Sequence, residues 1–186
     1  MTQSLNRLAA LGGIALALWL VATAQAVAAI AGITGPNFNF TAKAGHISTA
    51  DGNNVLVWGY ANGTTMQYPG ATLIVNQGDS VTITLTNNLP VPTSMVFPGQ
   101  SGVSTNCGSP GTAAGLMTCE ALPAGTVTYT FTAVQPGTYL YHSGTQPSLQ
   151  VEMGLVGALI VRPATAILSY GHAGSAYDRE YLPLIT

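Results

Sequence analysis

Two stretches of this chain alternate a hydroxyl side chain with an apolar one at every step, and that period fits a single kind of backbone. They are Ser80-Val81-Thr82-Ile83-Thr84-Leu85-Thr86 and Thr126-Val127-Thr128-Tyr129-Thr130-Phe131-Thr132. Successive side chains of a strand point to opposite faces, so each run has one face to bury and a threonine face for water. Further strands are predicted at Phe38–Ala42, Val55–Tyr60, Thr72–Val75, Ser94–Phe97, Thr138–His142, Gly157–Val161 and Glu180–Ile185. Turn residues separate them, among them Asp51-Gly52-Asn53-Asn54, Pro69-Gly70, Pro98-Gly99, Pro123-Ala124-Gly125 and Pro136-Gly137. Only residues 147–155 admit a short helix. Many short strands without an amphipathic helix predict an all-β, antiparallel Greek-key sandwich or barrel.

Charge then removes whole classes of function. Only 5% of the 186 residues are charged, four of them Lys or Arg. A nucleic-acid binder needs a basic face, and a long solvated helix needs abundant Glu, Lys and Arg. With 47% hydrophobic residues the chain is not disordered either. One folded domain is expected, with no internal repeat and no nucleic-acid partner.

Residues 1–26 read as a secretory signal peptide. Arg7 supplies the positive start, Leu11 to Ala22 an uncharged apolar stretch, and Ala24-Gln25-Ala26 a small-x-small cleavage site. The alternative is an uncleaved anchor, since no charge occurs from Leu8 to Ile33. Cleavage would release a periplasmic or extracellular protein with no membrane contact. Export bears on Cys107 and Cys119, the only two cysteines. Oxidising compartments favour a disulfide, and closing so short a loop stabilises by roughly 2–3 kcal/mol. A metal site on these thiols would want a nearby His, and none lies between them.

Three further segments follow one another along the chain and carry distinctive motifs. The first runs Tyr68-Pro69-Gly70-Ala71-Thr72-Leu73-Ile74-Val75, then Gln77-Gly78-Asp79 and the strand ending Asn87-Asn88-Leu89-Pro90. The second is Thr93-Ser94-Met95-Val96-Phe97-Pro98-Gly99. The third is Gly137-Thr138-Tyr139-Leu140-Tyr141-His142-Ser143-Gly144, followed by Gly154-Leu155-Val156-Gly157-Ala158-Leu159-Ile160-Val161. Together and in this order they resemble the N-terminal cupredoxin (plastocyanin-like) domain of bacterial multicopper oxidases, and the resemblance covers residues 68–163 as the cupredoxin-like core. Residues 27–67 would add N-terminal strands. Residues 164–186 would form a tail, which either opens a second domain or adds an edge strand with Pro183 tolerated there.

That family implies copper as cofactor: a type 1 site of Cys and two His, often with a Met, and a trinuclear cluster held by His-x-His pairs. Here only His46, His142 and His172 occur, and no two are separated by a single residue. His142 matches the first His of the family's His-Ser-His, but the second position is Gly144. The other pair falls on Met95 and Phe97 or their immediate neighbours. Cys119 lies far before His142 and Met153 well after it, which does not suit a type 1 site. His142 is therefore either a residual copper ligand, completed by another domain or chain, or a strand-end histidine bonded to a backbone carbonyl. No catalytic residue is assigned. Two functions follow: an exported domain of a copper-dependent oxidoreductase that is inactive alone, or a non-catalytic secreted module used for packing or partner binding. Partners of the first would be further cupredoxin domains or chains of the same kind.

Overall fold

A computed structural model describes residues 30–107, 118–165 and 168–185; the leader expected at 1–26 lies outside the described residues. The strands are β1 (Ile33–Thr34), β2 (Asn37–Ser48), β3 (Asn54–Asn62), β4 (Leu73–Asn76), β5 (Ser80–Asn87), β6 (Thr93–Ser94), β7 (Ser104–Thr105), β8 (Glu120–Ala121), β9 (Thr126–Thr132), β10 (Gly137–His142) and β11 (Val156–Arg162). One short helix, α1 (Pro147–Gln150), precedes β11.

The two alternating runs are neighbours. β5 and β9 pair antiparallel with Val81 opposite Phe131, Ile83 opposite Tyr129 and Leu85 opposite Val127. The same register sets Thr82, Thr84 and Thr86 against Thr130, Thr128 and Thr126 on the outer face. A slip of one residue would turn the apolar set to water, so burial holds this register. The apolar set is fully withdrawn: Ile83, Leu85 and Tyr129 are 0% exposed.

Two sheets enclose the core. One has the order β3-β2-β5-β9-β7 and the other β1-β4-β11-β10, with β6 and β8 forming a small separate pair. Aromatic side chains fill the space between them. Phe40, Tyr60 and Tyr141 lie with ring centroids 5.7–6.3 Å apart, and Phe97 packs 5.1 Å from Phe131. The molecule is an all-β sandwich, but its pairing is mixed rather than purely antiparallel. β2 runs parallel to β5, and β4 parallel to both β1 and β11. Crossovers cause this: β4 and β5 are consecutive, yet they lie in opposite sheets, so sequence neighbours are not ladder neighbours.

Two local expectations change. The strand expected at Ser94–Phe97 pairs only over Thr93–Ser94, then makes a lone bridge from Val96 to His142; Pro98, without an N–H, cannot extend the ladder. Glu180–Ile185 is no strand. Its first residue is drawn to Arg162, and Pro183 interrupts any ladder.

Candidate metal centre

His142 ends β10, and its position is set from both sides. Its backbone exchanges bonds with Val96 (Val96 N–H to His142 O, 2.8 Å; His142 N–H to Val96 O, 3.2 Å). Directly opposed residues of an antiparallel pair share a face. Val96, and by alternation Pro98, therefore lie on the side of His142. Met95 and Phe97 point the other way, into the core, at 1% and 4% exposure. The half-buried imidazole has Nδ1 2.9 Å from the carbonyl oxygen of Ser143. With the proton on Nδ1, that bond directs the lone pair to Nε2.

Gly144 sits where a second side chain would join His142. A Cβ built there would lie 2.7 Å from Cγ1 of Val96 and 2.8 Å from Cγ2 of Thr118. The space is occupied. Thr118 is held by donating to the carbonyl of Met95 at 2.8 Å.

Behind this position lies a buried hydrogen-bond network. Gly144 N–H donates to Ser94 Oγ at 3.2 Å, Ser94 Oγ meets Thr145 Oγ1 at 2.8 Å, and Thr145 Oγ1 donates to Glu120 Oε1 at 2.8 Å. Since the Thr145 proton goes to the carboxylate, the Ser94 hydroxyl is the donor of the middle bond. A second branch meets at Gln150, which is 0% exposed. Its Oε1 accepts from Thr93 Oγ1 and Ser143 Oγ, and its Nε2 donates to the carbonyl of Pro92. A buried amide satisfied on both ends rigidifies its surroundings, whereas an unmet one would cost about 1–3 kcal/mol.

Cys107 and Cys119 are joined in a disulfide, their Cα atoms 6.1 Å apart. It borders the segment carrying Thr118 and Glu120. Tyr129 fixes the same segment by donating to Cys119 O at 2.7 Å while accepting from Met95 N–H at 3.0 Å. Burial pushes the Tyr129 phenol up to about 12, and burial likewise raises Tyr60 and Tyr141 well above the ordinary tyrosine range.

These features sit on a recognisable chain. The family model for multicopper oxidase matches residues 41–166. The chain belongs to the multicopper oxidase family. An L-ascorbate oxidase of Cucurbita pepo var. melopepo is 39% identical over 104 residues, which is 54% of this chain and 18% of that protein. The iron transport multicopper oxidase FET3 of Gibberella zeae is 42% identical over 101 residues, covering 53% and 15%. Among solved structures, the multicopper oxidase of Campylobacter jejuni, a metallo-oxidase, superposes with a TM-score of 0.55 at 26% identity, covering 72% of this chain and 27% of that one. The match thus spans less than a fifth of those two curated relatives, and the fold is the cupredoxin fold of multicopper oxidases.

Copper is the metal of multicopper oxidases, and this chain's donors do not fit a copper cluster. On the face of His142 the neighbouring positions are Val96, Pro98 and Gly144, none of which offers a donor side chain, and the room beside Gly144 is filled. Both thiols are consumed in the disulfide. His46 lies exposed on β2 and His172 exposed beside the turn at Ala173–Ser175. Among the described residues, no three of His, Cys, Asp and Glu gather to hold an ion. The resemblance placed one imidazole pair on Met95 and Phe97 or their neighbours, and the fold selects the neighbours. Sequence reasoning missed the Ser94, Glu120, Thr145 and Gln150 network. Isolated Ser, Thr and Gln carry no spacing signal.

Proposed function

We propose that this chain is an exported cupredoxin domain of the multicopper oxidase type that has no oxidase activity by itself. The filled position at Gly144, beside Val96 and Thr118, carries that reading. Four-electron reduction of dioxygen needs several coppers, each with about three imidazole or thiolate ligands, and His142 alone meets no such demand. Export is supported by the leader pattern and by the disulfide, which persists in oxidising compartments. The decisive experiment is metal analysis of the purified, exported protein together with an assay of phenol and metal-ion oxidation. Substoichiometric copper, no intense blue colour and no copper-dependent oxygen uptake are expected. Stoichiometric copper with oxygen uptake, lost in His142→Ala, overturns the proposal.

A second reading has its own observation. The Nδ1 contact of His142 with the Ser143 carbonyl leaves Nε2 as the free donor, the posture of a ligating imidazole whose other nitrogen is held. Leu140 (44% exposed) and Leu149 (47% exposed) lie in the same stretch of chain. A further cupredoxin domain or chain docking there would complete a shared copper centre. Copper bound only when a second cupredoxin domain is present, and dependent on His142, distinguishes this reading from the first.

A further inference from the structure

The outer face of the β1-β4-β11-β10 sheet is apolar where a sandwich ordinarily shows water a polar face. Along β11, Leu159 and Val161 enter the core, so Ala158 and Ile160 point outward, yet they are 1% and 9% exposed. The C-terminal segment helps to close this face. Leu168, Tyr170, Tyr177 and Tyr181 form one wall of a cavity of about 260 Å³ whose other wall includes Thr138 and Ile160. The segment has internal order of its own: Leu168 bridges Ala176, Ser169 N–H donates to Ser175 O, and Ser175 N–H donates to His172 O.

A single cluster fastens it. Arg162, at the end of β11, donates through Nη1 and Nη2 to both carboxylate oxygens of Glu180, the second bond being 2.8 Å. Tyr177 OH donates to Glu180 Oε1 and accepts from Arg162 Nη1 at 3.0 Å. Ile30 N–H reaches Glu180 Oε2 at 3.4 Å. This is the one ion pair among the described residues, in a chain with only ten charged residues. The Arg162 hydrogen bonds hold the Glu180 carboxyl down to about 2, so the pair is fully charged near neutral pH.

We propose that residues 168–185 form a latched strap that opens as a unit when the Arg162–Glu180–Tyr177 cluster is broken, uncovering Ile160 while the sandwich stays folded. A bidentate guanidinium–carboxylate pair is directional as well as attractive. Beyond it, strap side chains pack beside the sheet, and segments attached through few bonds open locally at less cost than the core.

The sequence supplies its own reporter. Trypsin can cut after Arg179, inside the strap, and after Lys43, on β2 in the other sheet; Arg162 precedes Pro163 and is a poor site. In the full chain, Arg162→Met should raise the cleavage rate at Arg179 about tenfold, the effect of losing charge-assisted bonds that hold a local opening closed. Cleavage at Lys43 should not change, and Arg162→Lys should fall between the two. An unchanged rate at Arg179 in Arg162→Met overturns the latch. So does a parallel rise at Lys43 and Arg179, which would mean that the cluster stabilises the whole fold rather than the strap.

Discussion

At the scale of single residues, the site is decided by small displacements around Gly144. A methyl group there meets Val96 and Thr118 inside van der Waals contact, and both neighbours are tethered, Val96 through its backbone bridge to His142 and Thr118 through its hydroxyl bond to Met95 O. Gly144→Ala should therefore destabilise the fold by about 1–3 kcal/mol, the usual cost of overpacking, read from urea midpoints. Val96→Ala in the same chain should recover part of that loss, a coupling expected of contacting residues. The buried phenols give a second test. Their folded-state pKa values lie above the ordinary value near 10, so the neutral forms contribute stability that is complete below pH 10. For Tyr129 that contribution is lost as pH rises from 10 through about 12. Absorbance titration should show Tyr60, Tyr129 and Tyr141 ionising late, together with loss of the fold. Early, reversible ionisation of all tyrosines with the fold intact contradicts this.

At the scale of elements, short pieces are held by cross-bracing rather than by their own ladders. β8 is two residues long and pairs with an equally short β6, yet it carries Glu120 into the buried network. The disulfide at Cys119 and the Tyr129 bond to Cys119 O hold it there. Reduction and alkylation of Cys107 and Cys119 should lower the unfolding free energy by about 2–3 kcal/mol, as loop-closure entropy predicts for this separation. Denaturant unfolding of the oxidised and alkylated forms checks it, and equal midpoints would refute it. The longer elements behave differently. β5 and β9 need no brace, because each presents an unbroken apolar face to the other sheet.

At the scale of the whole molecule, the sandwich closes around a core of aromatic and aliphatic side chains contributed by both sheets. The loop between β10 and β11, which in a copper oxidase would bear a ligand, is organised here by Gln150 and Ser143. Anything that binds the native state and not the unfolded one raises its stability. The melting temperature should therefore be the same, within about 1 °C, in chelator and in a tenfold molar excess of copper(II). A rise of several degrees with copper, abolished by His142→Ala, would show a site that the side-chain packing does not provide.

The primary structure alone determined the faces of the strands. The Thr-x-Thr runs dictate which side of β5 and β9 is buried, since a strand's period of two is independent of what surrounds it. It also showed that imidazoles are too few for a copper cluster, which is a matter of composition. Tertiary structure decided the rest. Whether Met95 and Phe97 or Val96 and Pro98 face His142 depends on the phase of a strand only two residues long, which no local pattern sets and which pairing with His142 does. Parallel neighbours such as β2 and β5 arise from crossovers between sheets, a property of chain path and not of any segment. Glu180 lay in a run that reads as a strand, and only the approach of Arg162, Tyr177 and Ile30 shows why it is none: a partner 18 residues away in the chain outweighs a weak local preference that Pro183 already undermines. Gln150 and Thr145 on the β10–β11 connection meet Glu120 on β8 and Thr93 and Ser94 on β6 only because the fold brings these three parts of the chain together out of water, where each polar group must find a partner.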